Sequence, residues 1–489
     1  MMNIKKYPII VFSILSLLYL FPIIKADRYF IDDYNRSVLG YLSWSDNGRP
    51  LADIVMSFLN FNTTISDLSP LTQLLGVGSL IIVLIIIMQQ GSLGALQSVA
   101  CALCVLISPF MMETLSYAYD SFPMLLSIAL VCLPFYFKYS NKLFLFSAHT
   151  LFVIASLCLY QASISIYVII SIFIYILNDN KDRSGLEALL INAISFITGY
   201  LLYSKVVAKH FISGGYSLNR AEIIDFSKNG AFEHFFSNAI KYIDFLMLGF
   251  PLPFMVISVS IVIIGVFGIL IRGLELLRQG QTYSYVAAVI TITSPLIVSS
   301  LVIIPLSVLA NPPLMSRVLA STGVVMMFFM FFSFRIKCKP IALVVGVLVS
   351  IFMIYSYSSV YAYGNAQKKQ KEFEAYTISL MHSDISKSNA RTLDIYGSAP
   401  TSPISTLIVS QHMVMSWMVL SNITFRDEWR TNITLSNFRF PLKYKKGSFP
   451  GGVENPSCEL ITHRYNGIYT VFEKDDAILF YFKDICNKI

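Results

Sequence analysis

Charge is scarce in this sequence. Asp, Glu, Lys and Arg make up 13% of its 489 residues, about half the usual share of roughly 25%. Apolar residues reach 55%, and mean hydropathy is +0.66. A soluble core cannot hide that much apolar surface, and a chain so poor in charge is not disordered. Cysteine is also sparse, with seven in all. Cys101, Cys104, Cys132 and Cys158 fall in apolar runs and read as small hydrophobes. The spacing Cys101-x-x-Cys104 is that of a redox pair, but it lies inside a predicted span. Only Cys458 and Cys486 sit in a polar region, where an extracytoplasmic compartment would let them form a disulfide. There is no P-loop, no dinucleotide-binding fingerprint, no internal repeat and no arginine-rich tract. The net charge of +8 therefore points to membrane orientation, not to nucleic acid. The apolar N-terminal run ends at Phe21-Pro22-Ile23-Ile24-Lys25 without a small-x-small cleavage site, so it reads as an uncleaved first span.

What is present is the pattern of a polytopic α-helical membrane protein. Eleven runs are candidate spans: 7–24, 71–88, 93–110, 123–137, 143–158, 161–177, 186–204, 247–271, 283–307, 317–334 and 341–360. With the N-terminus in the cytoplasm, the inside segments carry eleven basic residues: Lys5, Lys6, Lys138, Lys142, Lys181, Arg183, Arg272, Arg278, Arg335, Lys337 and Lys339. The short outside turns at 111–122, 159–160 and 308–316 carry none. That bias predicts a cytoplasmic N-terminus and an extracytoplasmic C-terminus.

Three outside segments are long: 25–70, 205–246 and 361–489. Within the first, Leu51, Ile54, Val55 and Phe58 recur at helical spacing, predicting an amphipathic helix in the interface. Residues 1–360 read as the membrane module and 361–489 as a small C-terminal α/β domain. In that domain a helix is predicted over 368–383, with strands over 391–396, 432–440 and 467–482, the last turning at Asp475-Asp476. The apolar stretch 404–420 holds Gln411 and His412 at its centre, which predicts a buried amphipathic helix, not a span.

Polar constellations gather on the outside face. Asp32-Asp33-x-x-Arg36 follows the first span, and Gly48-Arg49-Pro50 comes soon after. Paired carboxylates can hold or take up a proton, and Arg36 and Arg49 suit an anionic group; a solvated loop with a salt bridge is the plainer alternative. Glu113, Tyr117, Tyr119 and Asp120 crowd one short turn, in which Asp120 equally suits a helix cap. Tyr160-Gln161 occupies another turn, where it either meets substrate or satisfies backbone groups. Arg317 follows Asn311-Pro312-Pro313 with no acid near it in sequence, and so seeks an anion or snorkels to a headgroup. Lys205, Lys209, His210 and Arg220 add a basic cluster; no second histidine stands at ligand spacing from His210. Group transfer on this side, where ATP is lacking, needs a donor already activated and membrane-borne.

These motifs carry a resemblance. Asp32-Asp33-x-x-Arg36 with Gly40, Trp44 and Gly48-Arg49-Pro50, then Tyr117-x-Tyr119-Asp120-Ser121, Tyr160-Gln161-Ala162 and Arg317-Val318-Leu319, resemble the Gtr-type O-antigen glucosyltransferases. These are serotype-converting membrane enzymes of enteric bacteria and their temperate phages. The likeness covers roughly residues 5–360. It implies a fold of the GT-C type in the bacterial inner membrane, with an acid of the first outside loop as catalytic base. It further implies undecaprenyl-phosphate glucose as donor, supplied by a separate synthase and flippase, and a lipid-linked O-antigen acceptor of the lipopolysaccharide. The expected catalytic acids are Asp32 and Asp33, then Asp120 and Glu113. The expected substrate-binding residues are Arg36, Trp44, Arg49, Tyr119, Tyr160, Gln161, Lys205, Lys209 and Arg317. No cofactor is implied, and a divalent metal stays open. A transporter or flippase, and an O-antigen polymerase or acyltransferase, are the alternative classes.

Overall fold

The computed structural model describes residues 6–137, 139, 141–178, 183–213, 215–454, 456–463, 465–483 and 486. Of the basic residues used for orientation, Lys5, Lys138 and Lys181 lie outside the described residues. The chain divides into two compact units, one formed by residues up to Phe21 and Tyr41–Tyr361, the other by Pro22–Gly40 and Ala362–Ile489.

The first unit is helical. Among the described residues seven helices are long and apolar enough to cross a membrane: Lys6–Ala26, Leu71–Gln89, Arg183–Phe211, Leu252–Leu277, Thr282–Ser300, Ser316–Phe334 and Lys339–Ile385. The protein is thus a multi-pass membrane protein. Shorter apolar helices, Ala95–Leu106, Ser121–Tyr136, Lys142–Leu157 and Gln161–Leu177, stand at four further predicted spans. Twelve residues of helix rise only about 18 Å against a hydrocarbon core of about 30 Å. Neighbouring helices make up the difference. Ala95–Leu106 and Ile164–Leu177 are apolar all round and buried along most of their length. Close packing relies on glycine where Leu252–Leu277 meets Ser321–Phe334: a Cβ at Gly265 would stand 2.5 Å from the Phe329 carbonyl oxygen.

The segment after the first long helix forms a 3₁₀ turn at Ser45–Asn47 and a helix at Pro50–Asn60. Ala52 and Met56 face inward, while Ile54, Phe58 and Phe61 are exposed, so this helix turns an apolar face outward.

In the second unit four strands pair in the order β1-β4-β3-β2: β1 Thr392–Tyr396, β2 Ile461–His463, β3 Thr470–Lys474 and β4 Ala477–Tyr481. β1 runs parallel to β4, and the other pairs are antiparallel. The β3–β4 hairpin turns at Asp475-Asp476, with Asp475 left-handed at φ 55°. One face packs Leu393, Ile395, Val471, Ile478 and Phe480 against Ile378, Met381 and Ile385 of the long helix. The other face packs Phe472, Leu479 and Tyr481 with Phe449. Cys458 and Cys486 are joined by a disulfide, with Cα atoms 5.8 Å apart.

The helix predicted over 368–383 is present, as the far end of one helix that begins at Lys339 and runs to Ile385. Two expectations for this region need correction. The predicted strand 432–440 is helix, Glu428–Asn437. Its β-branched residues look strand-like, but the Asp427 carboxylate caps the helix by accepting from the Arg430 amide at 3.0 Å. The stretch 404–420 is a short helix, Pro403–Gln411, that stops at His412 and continues as a 3₁₀ turn, with several apolar side chains exposed.

Candidate functional site

Two buried carboxylates organise one loop cluster of the first unit. Asp120 ends the turn Tyr117–Asp120 and leads into the helix Ser121–Cys132. Its Oδ1 accepts a 2.7 Å hydrogen bond from the Trp44 indole Nε1 and stands 3.7 Å from the Arg49 guanidinium. Trp44 is itself fixed, because the Asp53 carboxylate accepts from the amides of Trp44 and Ser45 at 2.9 and 2.8 Å. Gly48 adopts φ 74°, and a Cβ there would meet the Tyr203 hydroxyl at 2.7 Å. Only glycine suits both demands. Pro50 then opens the next helix, so Arg49 is presented from a rigid corner.

Arg49 is held from three sides. Its guanidinium lies 4.7 Å from the centre of the Tyr160 ring, and its Nε donates to Gln161 Oε1 at 3.0 Å. Gln161 Nε2 in turn donates to the Asn47 carbonyl at 2.9 Å and the Tyr203 hydroxyl at 2.8 Å, and that hydroxyl donates to the Gly48 carbonyl at 2.9 Å.

Arg317 repeats the arrangement with other partners. Its guanidinium is 3.7 Å from Glu113 Oε1 and 4.9 Å from the centre of the Tyr117 ring. Its backbone amide donates to Glu113 Oε2 at 2.9 Å. Both carboxylates are almost fully buried, and each arginine keeps a partly exposed side.

Both arginines line one cavity of about 560 Å³, with Lys209 and Arg220 also on its wall. Tyr160, Gln161, Asn47, Tyr203 and Ser217 are among its polar lining, apolar side chains supply most of the rest, and no carboxylate among the described residues lines it. The Tyr160 hydroxyl is buried and has no hydrogen-bond partner among the described residues. Burial raises its pKa well above the ordinary tyrosine value, so it stays a neutral donor. The loop after Val308 is pinned beside Arg220, which donates to the Asn311 carbonyl at 3.0 Å, and Tyr242 donates to the Pro313 carbonyl at 2.8 Å.

The fold therefore brings together Trp44, Arg49, Glu113, Asp120, Tyr160, Gln161, Lys209 and Arg317. Tyr119 is buried in the same turn as Asp120. Lys205 is exposed and is not on the cavity wall. Sequence reasoning missed Asn47 and Tyr203, whose roles depend on contacts across more than a hundred residues, and underrated Arg220. Among the described residues, no three His, Cys, Asp or Glu side chains are grouped to hold a metal ion.

Asp32, Asp33 and Arg36 belong to the second unit, on the helix Asp32–Leu39. Gly40 closes that helix in the left-handed conformation, its amide donating to the Arg36 carbonyl at 2.8 Å. Asp33 is fully buried and accepts from the Phe30 amide at 3.1 Å. Asp32 is half-buried, and its carboxylate has no hydrogen-bond or ion-pair partner among the described residues. Missed by sequence reasoning is the buried pair Arg28–Glu374 at 2.9 Å, in which Glu374 also accepts from the Asn422 amide at 2.9 Å.

The cavity of this multi-pass membrane protein is thus both basic and largely apolar-walled. The chain belongs to the glucosyl transferase GtrII family, whose model matches residues 21–334. A protein of Salmonella phage P22, described as an uncharacterized 55.3 kDa protein in the gtrB 5'region, is 33% identical over 238 residues. That match covers 47% of this chain and 48% of the phage protein, so the chain spans about half the length of this relative. No solved structure matches.

Proposed function

We propose that this protein transfers glucose from a polyprenyl-phosphate glucose, undecaprenyl-phosphate glucose in the bacterial inner membrane, to a sugar of a lipid-linked O-antigen. The observation that carries the reading is the cavity of about 560 Å³ whose wall holds Arg49, Lys209, Arg220 and Arg317 and, among the described residues, no carboxylate. Four cations beside an apolar wall suit a phosphate that carries a lipid tail. Membership of a glucosyl transferase family supports glucose as the group moved. In this reading eleven spans place the N-terminus in the cytoplasm and the C-terminal domain in the periplasm. The seven long and four shorter apolar helices support that count. A donor synthase and a flippase supply the substrate.

The chemistry is a displacement. The acceptor hydroxyl oxygen attacks the anomeric carbon, its proton passes to a carboxylate, and the bond from that carbon to the phosphate oxygen breaks. The electron pair leaves with the polyprenyl phosphate, whose charge grows from one negative to two. Arg49 and Arg317 stabilise that growth, and no general acid is needed. Inversion turns a β-linked donor into an α-glucoside. Asp32 serves as the base, because its carboxylate is accessible and unpaired, while the buried Asp33 shapes the turn that presents it. Glu113 and Asp120, each bound to an arginine, act as counter-ions and not as proton acceptors.

The test is transfer of labelled glucose from polyprenyl-phosphate glucose to lipid-linked O-antigen by the protein in liposomes. Asp32→Asn should insert normally, keep donor binding and lose about 10²–10⁴ in rate. Near-normal turnover by that variant would remove Asp32 from the role.

A further inference from the structure

Between Asp394 and Arg426 the second unit has no Asp, Glu, Lys or Arg for 31 residues, in a region otherwise dense in charge. The middle of this stretch does not form core with all its apolar side chains. Val414, Met415, Met418 and Val419 are buried, but Ile404, Leu407, Met413, Trp417 and Leu420 are exposed, Leu407 at 60% and Trp417 at 40%. Burial lowers the pKa of His412, the single histidine of the stretch, so at neutral pH the whole stretch is uncharged.

Its placement within the unit is firm. The Ser405 hydroxyl donates to the Ala366 carbonyl at 2.7 Å, the Ser402 amide donates to Gln370 Oε1 at 2.8 Å, and Gln367 Nε2 donates to the Met418 carbonyl at 3.1 Å. All three anchors lie on the helix Lys339–Ile385, whose apolar run 341–360 is the last candidate span. Ala366 lies six residues past that run, about 9 Å along the axis at 1.5 Å per residue. The headgroup layer on each side of the hydrocarbon core is about 5–7 Å deep. The exposed apolar residues are therefore tied to the helix just beyond the depth where it leaves the headgroup layer.

We infer that residues 403–420 form a membrane-docking surface, with Ile404, Leu407, Met413 and Trp417 seated in the lipid interface of the leaflet from which the helix Lys339–Ile385 emerges. The absence of charge fits that occupant, since a lipid interface accepts an uncharged apolar segment with a tryptophan at its edge. Another exposed surface of the same unit looks different: the helix Glu428–Asn437 exposes Trp429 too, but beside Glu428 and near Arg426. The docked segment would hold the second unit at a fixed height above the lipid in which a polyprenyl donor lies.

The inference rests on reading 341–360 as a span, and the experiment separates the two. The full-length protein is placed in phosphatidylcholine–phosphatidylglycerol vesicles that carry a lipid with a photoactivated diazirine near its headgroup, and labelled peptides are mapped by mass spectrometry. Peptides from 403–420 should label at a level similar to 341–360 and at least about fivefold above 428–437. Leu407→Glu, at an exposed position, should leave the Cys458–Cys486 disulfide intact and cut labelling of its own segment severalfold. Labelling of 341–360 with 403–420 at the level of 428–437 overturns the docking surface alone; so does undiminished labelling in Leu407→Glu. An unlabelled 341–360 overturns the span and the docking surface together.

Discussion

Arg49 and Arg317 are each paired with a buried carboxylate and a tyrosine ring, yet they are held in different ways. Arg49 is a side chain within a network. Asp120 divides one oxygen between Trp44 and Arg49, and Gln161 ties the same guanidinium to Asn47 and Tyr203. At Arg317 the carboxylate also grips the backbone, because Glu113 accepts from the Arg317 amide and so fixes the 3₁₀ turn Ser316–Leu319 that opens the next helix. The Arg49 arrangement specifies where a charge points, and the Arg317 arrangement specifies where a helix begins. A loss at Asp120 should therefore be read mainly in substrate handling, and a loss at Glu113 also in stability.

The largest effect expected on this comparison comes from removing the cations. Arg49→Ala and Arg317→Ala should each slow glucose transfer by about 10²–10³, the usual loss for a group that stabilises developing negative charge. Both rates are measured at saturating donor, and a normal rate in either variant would make that arginine an interface anchor.

Next come the carboxylates. Glu113→Ala leaves the Arg317 amide unsatisfied and should cost about 1.5–3 kcal/mol, read as a lowered unfolding midpoint in detergent. Glu113→Gln retains an acceptor for that amide and should recover most of the stability. Asp120→Asn retains an acceptor for the Trp44 indole, so its midpoint should stay near wild type while donor KM rises. Equal destabilisation by Asp120→Asn and Glu113→Ala would erase the distinction.

The smallest effect is expected at Trp44. Trp44→Phe keeps an aromatic ring, though a smaller one, and removes the donor to Asp120, a neutral-to-charged bond worth about 1.5–3 kcal/mol. Transfer should fall only severalfold, with donor KM moving more than the maximal rate.

Much of the membrane unit was legible in the sequence because apolar runs of span length have few other uses. The site motifs were legible as residue types, since buried acids and arginines at span ends are costly and need partners. Their pairing was not. Glu113 meets Arg317 across 204 residues, and Asp120 meets Trp44 across 76, and no local pattern encodes those distances. Local pattern also misled at 432–440, where a cap at Asp427 outweighed β-branched residues. At 404–420, expected to be buried, the exposure of Leu407 and Trp417 depends on which face packs on the long helix.

The sequence by itself determined a multi-pass helical protein, the uneven distribution of basic residues among its connecting segments and the set of charged and aromatic residues in its loops. Hydropathy and charge act along the chain and can be read along it. Tertiary structure decided which acid answers which arginine, which of Asp32 and Asp33 remains accessible, and that four cations from separate segments share one wall. These follow from packing, where a buried carboxylate persists only beside the donors that the fold delivers to it.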